Sequence, residues 1–197
     1  MPRVTDAYRQ ARRLEIAAAA LRCFGRKGFQ GTSMADIIAE SRLSAGAIYS
    51  HFKGKDELIE VSVHGVLDHL LDEINALRSS DPLPEPREVL KAFLQSIGED
   101  IIERGLLLQV WAEAMTDPGL ARIAAGTVTG LKELFAGYLV TWYTQSRGLT
   151  PAEASSRAGK YAAVMLGVCQ GFIVQSALIP EFDAQEYLAG LGAITPA

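Results

Sequence analysis

Ser33-Met34-Ala35-Asp36-Ile37-Ile38-Ala39-Glu40-Ser41-Arg42-Leu43-Ser44-Ala45-Gly46-Ala47-Ile48-Tyr49-Ser50-His51-Phe52-Lys53-Gly54-Lys55 reads as two short helices joined by a tight turn, the second ending in aromatic and basic groups. The Ser33 hydroxyl can accept a backbone N–H while Asp36 stands three residues on in the first turn, and Ser44 repeats the arrangement for the second helix. Ile48 and Phe52, four apart, turn toward a core. Ala45, Ala47, Tyr49 and Ser50 are left on or near the free face. Small side chains on such a face let a helix sit deep in the major groove of DNA, so the stretch predicts a helix-turn-helix.

The surrounding residues extend the pattern: Ile16, Ala20 and Phe24 form one helical stripe, and Gly28-Phe29 and Thr32-Ser33 lead into the next helix. From Arg12 to Leu58 the chain resembles the DNA-binding domain of the TetR family (TetR/AcrR-like) of bacterial transcriptional regulators. The resemblance rests above all on Leu43 to Leu58, with its Tyr-x-His-Phe-x-x-Lys ending. It implies that Tyr49, His51, Lys53 and Lys55 position the domain on phosphates. Ser44, Ala45, Gly46 and Ala47 would approach base edges, and Thr32 and Ser33 would offer hydroxyls and N–H groups to another phosphate. One position departs from the family: Arg42 stands in the turn where glycine is usual. Arginine there implies backbone strain or a shifted turn, and it could itself reach a phosphate.

Composition agrees with a two-part protein. The 197 residues are 49% hydrophobic, enough for a buried core, and the formal charge is −4. Residues 1–55 hold ten Lys or Arg against four Asp or Glu, a formal +6, which leaves −10 for the remaining 142. A basic head on an acidic body suits local attraction to phosphate. Cys23 and Cys169 lie in separate apolar segments without metal-ligand spacing and read as buried reduced thiols. Arg3, Arg9, Arg12 and Arg13 precede any apolar run, so no signal peptide is expected and the protein reads as cytoplasmic. The apolar run from Tyr161 to Ile179 is interrupted by Gln170, Gln175 and Ser176 and reads as a buried helix rather than a membrane span.

Helix punctuation is dense and strand signals are absent, which predicts an all-α chain of about nine helices. Residues 1–54 are expected to form a three-helix DNA-binding domain, and residues 55–197 a helical effector-binding and dimerisation domain. Helix one is expected from about Tyr8 to Lys27, and helix four from Lys55 to about Arg78. Pro86 opens helix five, Gly105 reads as a break before a helix from Leu106 to Met115, and Asp117-Pro118 opens a long helix ending at Arg147 before Gly148. Thr150-Pro151-Ala152-Glu153 is a capping box opening a helix to about Leu178, and Asp183 with Glu186 starts the last.

The body is rich in aromatic groups, and Leu131, Phe135, Tyr138 and Trp142 share one helix face. Taken alone this is a core. The resemblance implies in addition a chamber for a small apolar or aromatic effector, lined by Phe93, Trp111, Phe135, Tyr138, Trp142, Met165, Cys169 and Gln170, with Asn75, Gln109 and Glu113 as other polar candidates. Ser155, Gly159, Ala163, Gly167 and Gly171 recur every fourth residue and make a flat stripe. Such a stripe packs closely on another helix, within one subunit or, as the resemblance implies, across a homodimer reading two half-sites of a pseudo-palindromic duplex. By the same resemblance the protein is a repressor released by its effector, without cofactor or metal. An enzyme is disfavoured, because His51, His64 and His69 converge with no nucleophile or acid pair. The rival reading is a helical oligomeric adaptor without DNA function.

Overall fold

The structure is a computed structural model and describes residues 6–61, 80, 82–98 and 101–193. Among these, nine α-helices and one short 3-10 helix are present and no strand: α1 Asp6–Lys27, α2 Met34–Ser41, α3 Ala45–Tyr49, α4 over residues 55–61, α5 Pro86–Gly98, α6 Ile101–Ala114, α7 Pro118–Arg147, α8 Pro151–Leu178, α9 Ala184–Gly190, and the 3-10 turn Leu191–Ala193. The expected continuation of α4 to Arg78, with His64, His69 and Asn75, lies outside the described residues.

The boundaries follow local chemistry. Ser33 accepts from the Asp36 N–H while the Asp36 carboxylate accepts from the Ser33 N–H, a reciprocal cap of α2. Thr150 and Glu153 do the same for α8, and the Asp117 carboxylate accepts from the N–H groups of Gly119 and Leu120 at the start of α7. Gly28 and Gly148, just past α1 and α7, take positive φ of 75° and 64°, which closes those helices where a side chain would be strained. Gly105 behaves differently. The expected break there is absent, and the residue lies inside α6. A right-handed glycine weakens a helix by about 1 kcal/mol relative to alanine but keeps both backbone bonds, so it does not end one.

The chain divides into two compact units, Met1–Leu67 with Gly105–Ala124, and Asp68–Arg104 with Ala125–Ala197. The first, the head, therefore takes in a segment remote in sequence. Its core joins Ile16, Ala20, Phe24, Phe29, Ile37, Ile48, Phe52, Leu58 and Ile59 to Val110 of α6 and Leu120 of α7. Trp111, expected in the effector chamber, belongs to this head segment, whereas the other expected lining residues belong to the second unit.

In the second unit, the body, α5 packs against α8 and the 3-10 turn, and α8 against α9. Phe135, Tyr138 and Trp142 lie buried on one face of α7 with Leu139 and Tyr143, and Phe93 meets Phe135 edge-on at 5.3 Å. The Tyr138 hydroxyl donates to the Pro84 carbonyl at 2.5 Å, satisfying its polar end. On α8 the buried side is Ala154, Ala158, Ala162, Met165, Leu166, Cys169, Phe172 and Ile173. This helix is long and apolar enough to cross a membrane, yet a continuous buried stripe is what a core helix presents.

Candidate nucleic-acid interface

α3 is only five residues long, so its shape depends on its surroundings more than on propensity. Ser44 caps it by accepting the Ala47 N–H, Ile48 anchors it fully buried, and Phe52, 1% exposed, pins the segment that follows. Arg13 of α1 holds that segment from outside the motif. Its guanidinium donates to the His51 carbonyl, pairs with Glu57 at 3.2 Å and lies 4.4 Å from the Phe52 ring centre. With the inner side fixed, the outer side presents Ser44, Ala45, Gly46, Ser50 and Tyr49, the last 54% exposed, with Ala47 half-buried beside them. A Cβ placed on Gly46 would meet no atom within 4 Å, so packing inside the chain does not demand a glycine there. Lys53 is exposed and His51 half-buried.

Two expected phosphate contacts prove to be engaged within the head. Thr32 is 2% exposed, and its hydroxyl donates to the Gly28 carbonyl at 2.7 Å, with the Cys23 carbonyl as a second acceptor at 3.2 Å. Lys55 donates to the carbonyls of Phe29 and Thr32 at 2.8 and 3.1 Å, with its ammonium 4.4 Å from the Phe29 ring centre. Both stitch the α1–α2 loop. The loop carries carbonyls that no helix satisfies, and a buried carbonyl takes the nearest donor. Ser33 stays exposed, though its hydroxyl is bonded to Asp36.

The same holds for much of the basic charge. Arg22 and Arg26 both pair with Glu40, at 2.7 and 2.5 Å, Lys27 pairs with Asp36, and Arg12 with Glu15. Lys27 and the Ser33 cap hold the Asp36 carboxyl far below the usual carboxylate range. Arg22 and then Arg26 lower that of Glu40. The Lys53 N–H lowers that of Glu57, with Arg13 assisting. Arg42 has an exposed guanidinium that, like those of Arg9 and Arg122, makes no ion pair or hydrogen bond among the described residues. As the C-cap of α2 it has φ 57° and ψ 22°, the left-handed conformation expected of a glycine in this turn. An L-residue is disfavoured there by about 1–2 kcal/mol.

The loop is also held by α6. The Gln109 side-chain carbonyl accepts the Phe29 N–H at 3.2 Å, and Gln30 donates to Glu113 at 2.9 Å. Gln109 and Glu113, polar candidates for an effector site, thus serve the head. Nothing near residue 29 in sequence signals either contact.

In the body, Phe93, Phe135, Tyr138, Trp142, Met165 and Cys169 are buried, and Gln170 is half-buried. Burial pushes the Cys169 thiol well above its ordinary value, leaving it protonated and unreactive. The α8 stripe divides. Gly159, Ala163 and Gly167 are exposed, and a Cβ on either glycine would meet nothing. At Gly171 a Cβ would come within 3.1 Å of the Tyr187 hydroxyl, which donates to the Val168 carbonyl at 2.8 Å. At Gly171, α9 of the same chain lies close, as packing of the stripe within one subunit would have it.

A capped pair of short helices, the second exposed on a buried anchor and set on a longer first helix, defines a helix-turn-helix protein. Residues 16–61 match the family described as bacterial regulatory proteins, tetR family. The HTH-type transcriptional regulator YfiR of Bacillus subtilis, itself described as uncharacterized, is 35% identical over 103 residues, covering 51% of this chain and 47% of that one. TtgR of Pseudomonas putida, an HTH-type transcriptional regulator, is 35% identical over 106 residues, covering 52% and 49%. A transcriptional regulator from Aquifex aeolicus VF5 shares the fold with a TM-score of 0.72 at 21% identity, over 93% of this chain and 99% of that one. The chain spans about half the length of the two sequence relatives in these matches. Its residues 16–61 carry the helix-turn-helix of the tetR family of bacterial regulatory proteins.

Proposed function

We propose that the protein is a sequence-specific regulator that binds double-stranded DNA as a homodimer, acting in the cytoplasm as a repressor released by a small apolar or aromatic effector. The observation that carries this reading is the exposed, small-residue face of α3 with Tyr49 at its edge, held by Ile48 and Phe52 beneath. Such a face suits thymine methyl packing, close backbone approach and DNA shape more than bidentate base recognition. Ser44, Ala45, Gly46 and Ala47 meet base edges in this reading, while Tyr49, His51, Lys53 and the N-terminus of α2 at Ser33 meet the backbone. Residues 1–54 with their α6 and α7 supports would form the reading head.

The effector site belongs to the body, among Phe93, Phe135, Tyr138, Trp142, Met165, Cys169 and Gln170, without Trp111. A ligand favouring the body conformation in which two heads are wrongly spaced weakens DNA binding by its differential affinity for that state. Gly159, Ala163 and Gly167 would meet a second copy. The adaptor reading is not favoured, because it leaves the exposed α3 face and the family match without a role.

The test is fluorescence anisotropy of the full chain on duplex DNA from upstream of its own gene, against a scrambled duplex, across a salt series. Tight, salt-dependent preference for the upstream duplex supports the proposal. Failure to bind any duplex at low salt overturns it.

A further inference from the structure

Arg42 combines two features that internal structure does not explain. Among the described residues it is the one non-glycine residue with positive φ, and its guanidinium is exposed and, like those of Arg9 and Arg122, makes no ion pair or hydrogen bond there, whereas Arg12, Arg13, Arg22, Arg26, Lys27 and Lys55 are all engaged. Glycine or asparagine would make the same turn with less strain. A cation at the C-terminus of α2 gains from the helix field, but less than the strain removes. The arginine therefore costs stability in the turn it occupies, and a strained position with an exposed guanidinium fits a contact outside the chain.

We infer that Arg42 grips a backbone phosphate of the bound duplex, trading stability of the turn for hold on DNA. This assignment rests on the DNA-binding reading above. Arg42 ends α2 two residues before the Ser44 cap of α3. In a helix-turn-helix the first helix lies across the sugar-phosphate backbone while the second enters the groove, so a side chain at the end of the first faces the groove wall. The guanidinium fork matches two phosphate oxygens, and the small outer face of α3 leaves that wall within its reach.

The test compares wild type, Arg42→Gly, Arg42→Asn and Arg42→Lys as full chains. It reads thermal midpoints, and anisotropy on the preferred duplex and single-base-pair variants across salt. Arg42→Gly raises the thermal midpoint by roughly 2–8 °C. It also weakens binding about tenfold or more per head, equally on all duplexes, and lowers the salt slope by about 0.9 per head. Arg42→Asn follows it in binding, and Arg42→Lys keeps most of the slope but loses affinity. Unchanged affinity in Arg42→Gly overturns this assignment alone. A loss confined to duplexes carrying one particular G·C pair replaces the phosphate with a base edge and also overturns it. Absence of binding by wild type overturns the DNA-binding reading and this assignment with it.

Discussion

The head and the body are held by different chemistry. In the head, side chains from separate elements meet through directional polar bonds: Arg13 to His51 and Glu57, Arg22 and Arg26 to Glu40, Lys27 to Asp36, Lys55 to Phe29 and Thr32, and Gln109 to Phe29. In the body the contacts between elements are mostly apolar and aromatic, as in the cluster of Phe172, Phe182 and Tyr187 with ring centres 5.3–5.6 Å apart. The one ion pair in its described residues joins neighbours, Arg87 and Glu88. Directional bonds fix positions closely, which suits the proposed task of matching a rigid duplex. Dispersion contacts are tolerant of direction, and a core built of them can repack around a guest. On the proposed reading the two solutions sit in one chain because the head meets DNA and the body a small effector.

Five measurements would break or sharpen that contrast. Phe52→Ala removes a ring from the head core and is expected to cost about 3–5 kcal/mol, read by chemical denaturation. If the head is a distinct cooperative unit, DNA binding disappears while body fluorescence from Trp142 persists. A single concerted transition would erase the distinction between the units. Lys55→Ala strips donors from two loop carbonyls and is expected to destabilise the head by about 1–3 kcal/mol. Tyr49→Ala, on the exposed face, leaves the melting curve nearly unchanged and weakens DNA binding. Equal destabilisation by both would make Tyr49 structural.

Tyr187→Phe in the body loses one hydrogen bond to Val168 and is expected to cost about 0.5–1.5 kcal/mol. A larger loss would show that polar bonds matter there as well. The smallest effect is the pH dependence of the half-buried carboxylates. Asp36, Glu40 and Glu57 have depressed values in the folded head, so their contribution is complete above the ordinary carboxylate range, near pH 4. It is lost as pH falls from there through their folded values. Acid titration followed by circular dichroism should weaken the head in this range, and Glu40→Gln should flatten part of that response.

What the sequence revealed, it revealed through local rules. Ser33 with Asp36, Thr150 with Glu153, Asp117 before Pro118 and Gly148 after Arg147 each act within four residues, and the structure places caps and ends there. At Arg42 the sequence left a strained turn and a shifted turn both open, and the structure has the strained, left-handed one. Distant partners were not legible. Glu57 meets Arg13 across 44 positions and Gln109 meets Phe29 across 80, and no pattern within a window announces either. For the same reason the charge asymmetry overstated the free basic surface, since counting cannot see which arginines face a carboxylate. Thr32 and Lys55 are polar residues of a kind equally suited to phosphate or to loop carbonyls, and tertiary packing decided between them. Glycine in α6 misled because its weak propensity was read as a stop.

The bond from the Phe29 N–H to Gln109, with Val110 and Leu120 closing the same core, bears on how the chain is made. The ribosome releases the helix-turn-helix long before residues 109–120 exist, so the emerging head lacks its last wall and one acceptor until more than half the chain has been synthesised. The segment 16–61, though self-contained as a pattern, is therefore not a portable module. A fusion cut after Leu67 would carry the reading helix but leave an apolar gap and an unpaired amide beside it. A graft of this specificity onto another protein would have to bring α6 and the first turns of α7 along.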